Sequence, residues 1–310
     1  MNLMTKEKRY NTLNAFYRHR FGKKVFKVSL NGNFTCPNKD GKSGYGGCVY
    51  CTESGSGDFA GKKEDSLLSQ FTKVKNMMHE KWSDGLYISY FQANTNTYDT
   101  IERLRPLYYE SISLDKNIVG LSVATRCDAL NEDIYDLLEE LNGKTYLQIE
   151  LGLQSIHDDT SKFINRAHSL QCFDDAVNEL RKRDIDVVVH IINGFHMETK
   201  KDMLDTVRHL NSLDIQGIKI HLLHIMKKTK LGKMYLESPF KMLTLDEYKD
   251  IVCDQLEILN PNVIVHRLTG DSPRELLIAP LWSLKKLVVM NEIDKELRKR
   301  DTYQGTKFEK

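Results

Sequence analysis

The chain has 310 residues, 40% of them hydrophobic and 28% charged, with a formal net charge of +2. That length and apolar content support a large core, and the charge density with only six prolines excludes a long disordered segment. No run approaches the roughly 18 apolar residues of a membrane span, and the opening MNLMTKEKRYNTL lacks the apolar centre of a signal peptide. The expected location is the cytoplasm, with no membrane association.

A basic segment, residues 1–24, comes first. Short β-rich apolar runs follow at 25–31, 86–91, 118–124, 146–151, 186–192 and 217–223, with amphipathic helical stretches between most of them at 65–79, 98–111, 131–141, 170–183 and 199–213. Asn131 and Thr199 stand where helix N-caps belong. This alternation predicts a parallel sheet with helices outside it. Six units are too few for an eight-fold barrel. The expected fold is therefore α/β, a partial (β/α)6 TIM-like barrel over residues 25–240. A helix at 245–259, a strand at 263–267 and a helix at 282–300 then form a C-terminal α/β extension, 241–310, packed on the barrel. In such folds the residues just after the strands build the site.

Charge is unevenly spread. Ten Lys/Arg face four Asp/Glu between Lys6 and Asp58, and six Lys face Glu237 alone between Lys219 and Lys241. A polyanionic partner and a pair of solvated faces fit this pattern equally well. The six cysteines, without a secretion signal, point to a reducing compartment, where thiols serve as ligands or core residues. Three of them share one glycine-rich loop after the first strand: eleven residues separate Cys36 from Cys48, and two separate Cys48 from Cys51. Thiolates in this pattern select zinc or an iron–sulfur cluster. Structural zinc needs a fourth ligand, which the loop does not offer, whereas a cluster on three thiolates keeps one iron open. Cys127, Cys172 and Cys253 show no paired spacing, and the last two fall in helical patterns, as core thiols do.

Three cysteines after strand one of a partial barrel, with Tyr50 just before the third, resemble the radical S-adenosylmethionine (SAM) superfamily. The long first gap is similar to the group of the elongator catalytic subunit. IELGLQS (149–155), INRAHS (164–169), GLSVATRCDAL (120–130) and VHIINGF (189–195) resemble successive strand motifs of that group, although Cys127 replaces a usual proline and FHME departs from LPGE. The resemblance covers roughly residues 20–280.

The resemblance implies a [4Fe–4S] cluster on Cys36, Cys48 and Cys51, and S-adenosyl-L-methionine as cosubstrate, reductively cleaved to a 5′-deoxyadenosyl radical. It places Tyr50 near the adenine, and Gln154 and Arg166 at the ribose and carboxylate. It puts Gln92 and Asn94, with Thr95 and Asn96, near the methionine amino group. Thr125, Arg126, His190 and Asn193 would line the cavity. His221 and His224, with Lys227, Lys228 and Lys230 after them and Arg267 and Asp271 closing it, would make a rim suited to a phosphate-bearing substrate. Some of the small bacterial members resembling this chain act on the wobble uridine of tRNA, converting 5-carboxymethylaminomethyl to 5-aminomethyl; the chain is expected to end too soon for the acetyltransferase domain of the elongator subunit. The implied partners are tRNA and a reductase or flavodoxin/ferredoxin-type electron donor. Tyr10, Phe16, Tyr17, Arg18, Arg20, Lys23 and Lys24 are expected to serve RNA through phosphate contacts and stacking. Two alternatives stay open: a radical SAM reaction on a small metabolite such as a porphyrin precursor, and a non-catalytic zinc-dependent nucleic-acid-binding protein.

Overall fold

The computed structural model describes residues 2–53, 55, 60–80, 82 and 84–309. The tail of the cysteine loop, residues 54 and 56–59, lies outside them. Seven strands pair in parallel and in chain order: β1 (Val25–Leu30), β2 (Leu86–Phe91), β3 (Ile118–Thr125), β4 (Tyr146–Gln154), β5 (Asp186–Asn193), β6 (Gly217–Leu222) and β8 (Ile264–Arg267), while β7 (Ile225–Met226) and β9 (Leu277–Ala279), one before and one after β8, form a small antiparallel sheet. The sheet curls into a half-barrel with β1 and β8 as its edges. The strand foreseen at 263–267 is thus a seventh member of the barrel sheet, with Ile264 beside Gly217.

Period-two alternation sorts each strand into two faces. Leu121 and Val123, Leu147, Ile149 and Leu151, Val187, Val189 and Ile191, and Ile218 and Ile220 turn outward into the main core. Lys27, Tyr90, Glu150, His190, Lys219 and His221 turn inward and line a cavity. Helices α3 (Leu67–His79), α4 (Ile101–Ser113), α5 (Glu132–Asn142), α7 (Leu170–Lys182), α8 (Lys200–Asn211), α10 (Leu245–Ile258) and α11 (Lys286–Lys299) supply the outer layer. Helix α7 shows how: Phe173, Ala176, Val177 and Leu180 recur at helical spacing and are buried. Caps fix the helix starts, as Asn131 Oδ1 accepts from the Ile134 amide and Thr199 forms a capping box with Asp202.

Within residues 1–24, expected to face RNA, two of the named rings turn inward. The segment contains a helix, α1 (Leu13–Phe21), which packs against both edge strands at the N-terminal end of the half-barrel. Thr12 bridges Val265 of β8, and the Tyr17 hydroxyl donates to Gln148 Oε1 in β4 at 3.0 Å. Tyr10 and Tyr17 are each 2% exposed and unavailable to stack on bases. Arg20 lies over the Tyr146 ring, and Lys23 pairs with Asp84. Burying these rings floors the open barrel, and that use removes them from any nucleic-acid face. Among the described residues, no helix is long and apolar enough to cross a membrane.

Candidate active site

The chain leaves β1 and turns at Cys36, the N-cap of a short helix α2 (Pro37–Asp40) with proline in its first turn. It then doubles back through Gly46 and Gly47, whose φ values of +73° and +71° suit glycine. Asn38, fully buried, joins the loop to its neighbour: its Nδ2 donates to the Asn165 carbonyl at 2.6 Å and approaches Cys48 Sγ at 3.5 Å. Asn165 returns the contact, its Nδ2 donating to the Gly47 carbonyl at 2.9 Å. Asn38 was not singled out in the sequence; only its place two residues after Cys36 marks it.

Cys36, Cys48 and Cys51 all line the mouth of one cavity of about 960 Å³, at the C-terminal ends of the strands. The Cys51 thiol hydrogen-bonds Cys48 and draws it down to about 6, with Arg126 and Asn38 assisting and burial opposing. Three cysteines at one mouth, one of them predisposed to the thiolate form, suit a thiolate-held cluster. Among the described residues no three His, Cys, Asp or Glu converge as ligands of a single ion, and a cubane does not require it because its thiolates bind different irons.

Tyr50, Gln92, Asn94, Thr125, Arg126, Gln154 and His190 line the same cavity. Tyr50 sits 6.5 Å from Phe195, ring to ring. Asn94 Oδ1 accepts from Lys39 Nζ at 2.8 Å, and the Ser29 hydroxyl donates to Gln92 Oε1 at 3.0 Å. Arg126 makes a two-pronged pair with Asp128, at 2.8 and 2.7 Å, and that pair keeps it charged despite burial. Thr125 shares a 2.6 Å hydrogen bond with Thr97. Asn193, by contrast, points outward and pairs with Gln255 beneath α8 and α10.

Arg166 is also placed differently from a cavity residue. It is 1% exposed, and its Nη1 donates to the carbonyls of Leu153, at 2.7 Å, and Ser155. Its own carbonyl accepts from Arg126 Nη2 at 2.8 Å. Arg166 therefore pins the end of β4, where the register shifts between Gly152 and Gln154 and Gln154 has φ +64°, and supports Arg126 from behind. A short helix α6 (Asp158–Phe163) carries the chain to this point.

Ala167, next in line, has φ +65°, a conformation that costs an L-residue roughly 1–2 kcal/mol. Ala167→Gly is expected to relieve that strain and to lose part of the gain to the greater freedom of the unfolded chain. A net stabilisation of up to about 1 kcal/mol should appear as a higher urea midpoint; a lower midpoint would show that the methyl group, 3.0 Å from a Cβ placed at Gly44, has packing value.

Deeper in the cavity Glu150 organises a polar layer. Lys27 Nζ donates to its Oε1 at 2.5 Å and Ser122 Oγ at 3.0 Å, while Tyr90 Oη at 2.7 Å, His190 Nε2 at 2.8 Å and Lys219 reach Oε2. Burial pushes this carboxyl up, but Lys219 and Lys27 outweigh it and hold it well below the usual carboxylate range. Burial also lowers Lys219 to about 7; Glu150 resists, and Lys27 and Arg267 add to the fall, because three cations crowd one carboxylate. Burial takes His190 to about 4, so it is neutral near pH 7. His221 and His224 approach each other across Gly270, and Arg267 lies 3.4 Å from Asp271.

The mouth is rimmed by β7 and α9 (Lys230–Glu237), which dock on the cysteine loop through the Leu231 amide and Val49 carbonyl, 2.8 Å apart. This brings Lys230 beside Gly46 and exposes Lys227 and Lys228 close by. Cys127 and Cys172 meet with their sulfurs 3.3 Å apart, a pairing their spacing does not show. Cys253 is buried under Ile293.

Residues 42–210 match the family model of the radical SAM superfamily, and residues 215–299 match the radical SAM C-terminal domain. A Bacillus subtilis protein, YtqA, is 52% identical over 98% of this chain and 94% of its own length. Human elongator complex protein 3 is 20% identical over 67% of this chain and 37% of its own. The structure of Elp3 from the archaeon Methanocaldococcus infernus, lacking residues 1–46, superposes with a TM-score of 0.67 at 17% identity, over 90% of this chain and 64% of that one; the half-barrel is the shared fold. The extent of the family match, more than half of its residues, makes this chain a member of the radical SAM superfamily, whose enzymes use a [4Fe–4S] cluster and SAM.

Proposed function

We propose that this radical SAM enzyme modifies tRNA at the wobble uridine, converting a 5-carboxymethylaminomethyl substituent to 5-aminomethyl by hydrogen abstraction from a methylene and C–N cleavage, so that substrate, SAM and water give the aminomethyl product, glyoxylate, methionine and 5′-deoxyadenosine. The observation that carries the reading is one deep cavity lined by the three cysteines and, further in, by Lys27 and Lys219 on Glu150. Its volume lies at the upper end of the usual range for small-molecule sites, about 300–1,000 Å³, which leaves room for SAM and a projecting base together. Lys227, Lys228 and Lys230 at the rim suit phosphate contacts. The resemblance to elongator-type proteins supports the substrate class.

Cys36, Cys48 and Cys51 would hold the cluster, and Asn38 and Asn165 would fix the loop that presents them. When bound, cluster and SAM supply a 5′-deoxyadenosyl radical, with the electron drawn from a flavodoxin- or ferredoxin-type donor. Tyr50 and Gln154 would bind and orient SAM, and Gln92 and Asn94 would take its amino group. Arg126, positioned by Asp128 and Arg166, offers a cation near its carboxylate. The apolar packing of Tyr50 on Phe195 limits water at the mouth.

The test is iron and acid-labile sulfide content after anaerobic reconstitution, then dithionite-driven formation of 5′-deoxyadenosine and nucleoside analysis of a substrate tRNA. About four irons per chain, SAM cleavage and 5-aminomethyluridine are expected. Cys48→Ser and Cys51→Ser should each lose the cluster and fall to background cleavage. Cleavage without any change in tRNA, combined with turnover of a carboxylated small metabolite, would replace the substrate reading.

A further inference from the structure

The polar layer beneath the cysteines holds more positive charge than its own carboxylates balance. Lys27, Lys219 and Arg267 line it, with Lys286 behind them; the facing carboxylates are Glu150, shared by the two inner lysines, and Asp271, 3.4 Å from Arg267 and 2.6 Å from Lys286. The buried part of this excess is Lys27 and Lys219 on the single carboxylate of Glu150, while Arg267, Lys286 and Asp271 form a half-exposed edge. Around them His221 Nε2, His224 Nε2 and His266 Nδ1 are buried without a hydrogen-bond partner. Burial keeps these rings neutral, with nearby cations reinforcing it at His221 and His266. Each orphan nitrogen destabilises the empty layer, and unbalanced buried charge costs more. Both costs fall when an anion able to accept hydrogen bonds enters the layer.

We propose that this layer binds an anionic group of the substrate, a carboxylate or a phosphate, with Arg267 and Lys219 as counter-ions and His221 and His266 as hydrogen-bond partners. The assignment rests on the substrate reading above, because the 5-carboxymethylaminomethyl side chain ends in a carboxylate. With that group in the layer, the methylene bonded to it would lie one bond above the layer, within the cavity. The layer then selects substrates by charge, and a neutral side chain of the same length is rejected because it leaves the cations unpaired.

The test measures binding to the reconstituted, SAM-loaded enzyme by calorimetry, with three probes: the 5-carboxymethylaminomethyluridine nucleoside, its carboxamide, and the 5′-monophosphate of that carboxamide. The free carboxylate should bind about 10–100-fold more tightly than the carboxamide, as expected for hydrogen bonds to a charged group. Lys219→Gln and Arg267→Gln should each erase most of that difference while weakening the carboxamide little. Arg267 is half-exposed at the end of β8, so its variant serves if Lys219→Gln fails to fold. Tighter binding of the monophosphate than of both nucleosides, lost in Arg267→Gln, would keep the site and name phosphate as its anion. Equal binding of all three probes overturns the proposal. Should no nucleoside bind, succinate and inorganic phosphate decide: thermal protection by either that vanishes in Arg267→Gln retains the anion layer and removes only the wobble-uridine reading. Protection by neither removes both.

Discussion

Glu150→Gln is expected to cost about 3–5 kcal/mol of folding stability, the usual loss when one member of a buried ionic network is removed. Glutamine keeps the volume and an acceptor but leaves Lys27 and Lys219 inside the barrel without their anion. It also weakens the hydrogen bonds from Tyr90, Ser122 and His190 that converge on the carboxylate. The deficit should depend on pH. In the variant Lys219, already lowered to about 7 by burial, loses the carboxylate that resists the fall and binds its proton more weakly still, against about 10.4 in the unfolded chain. Raising the pH toward 10 therefore removes a penalty carried by the folded state alone, and the gap between variant and wild type narrows. Urea unfolding at pH 7 and pH 9.5 checks both statements. A loss below about 1 kcal/mol at pH 7 would mean that water already penetrates the layer and solvates the lysines.

Acid should weaken the protein before its carboxylates titrate. His168, His190 and His224 are all held down to about 4, chiefly by burial, whereas an unfolded histidine takes up its proton near 6.5. Between these values the unfolded chain binds more protons than the folded one, so stability falls as pH drops through that window and is restored above about 6.5. At pH 5.5 each ring contributes a loss of about 1 kcal/mol, and the three together lower stability by a few kcal/mol. Unfolding by urea at pH 7.5 and 5.5 measures the loss, and His190→Gln should remove its share of the slope. An unchanged midpoint across this range would show that these rings protonate freely in the folded state.

The strands and outer helices were legible because their patterns are local: Val187, Val189 and Ile191 alternate within one strand, and Phe173, Ala176, Val177 and Leu180 recur along one helix. The cysteine loop was legible because its ligands are close in sequence. What could not be read is convergence between strands. Glu150 lies inside a quoted motif, yet nothing local shows that Lys27, Tyr90, Ser122, His190 and Lys219 from five other strands meet there. The same limit hid the meeting of Cys127 with Cys172 and of Asn38 with Asn165. Arg166 was assigned to the cavity by its motif, but its direction depends on the carbonyls freed where β4 shifts register. Tyr10 and Tyr17 in the basic N-terminal segment were misplaced for another reason: composition counts residues without showing that these two rings are needed to fill the barrel's open end.

The floor of the cavity depends on both ends of the chain. Asn11 donates from its amide to Gln304 Oε1 at 2.9 Å and from Nδ2 to the Pro261 carbonyl at 2.6 Å, while its own carbonyl accepts from the Val265 amide. Arg9 pairs with Asp301, and Lys8 with Asp294. Contacts spanning nearly 300 residues close late, because loop-closure entropy must be overcome before they form. Pro261, Asp294, Asp301 and Gln304 hold the segment that leads into α1. Loosening them is expected to let α1 lift from the base of the half-barrel. A pocket with one entrance would then become a channel with two, and solvent would reach the cysteines from below.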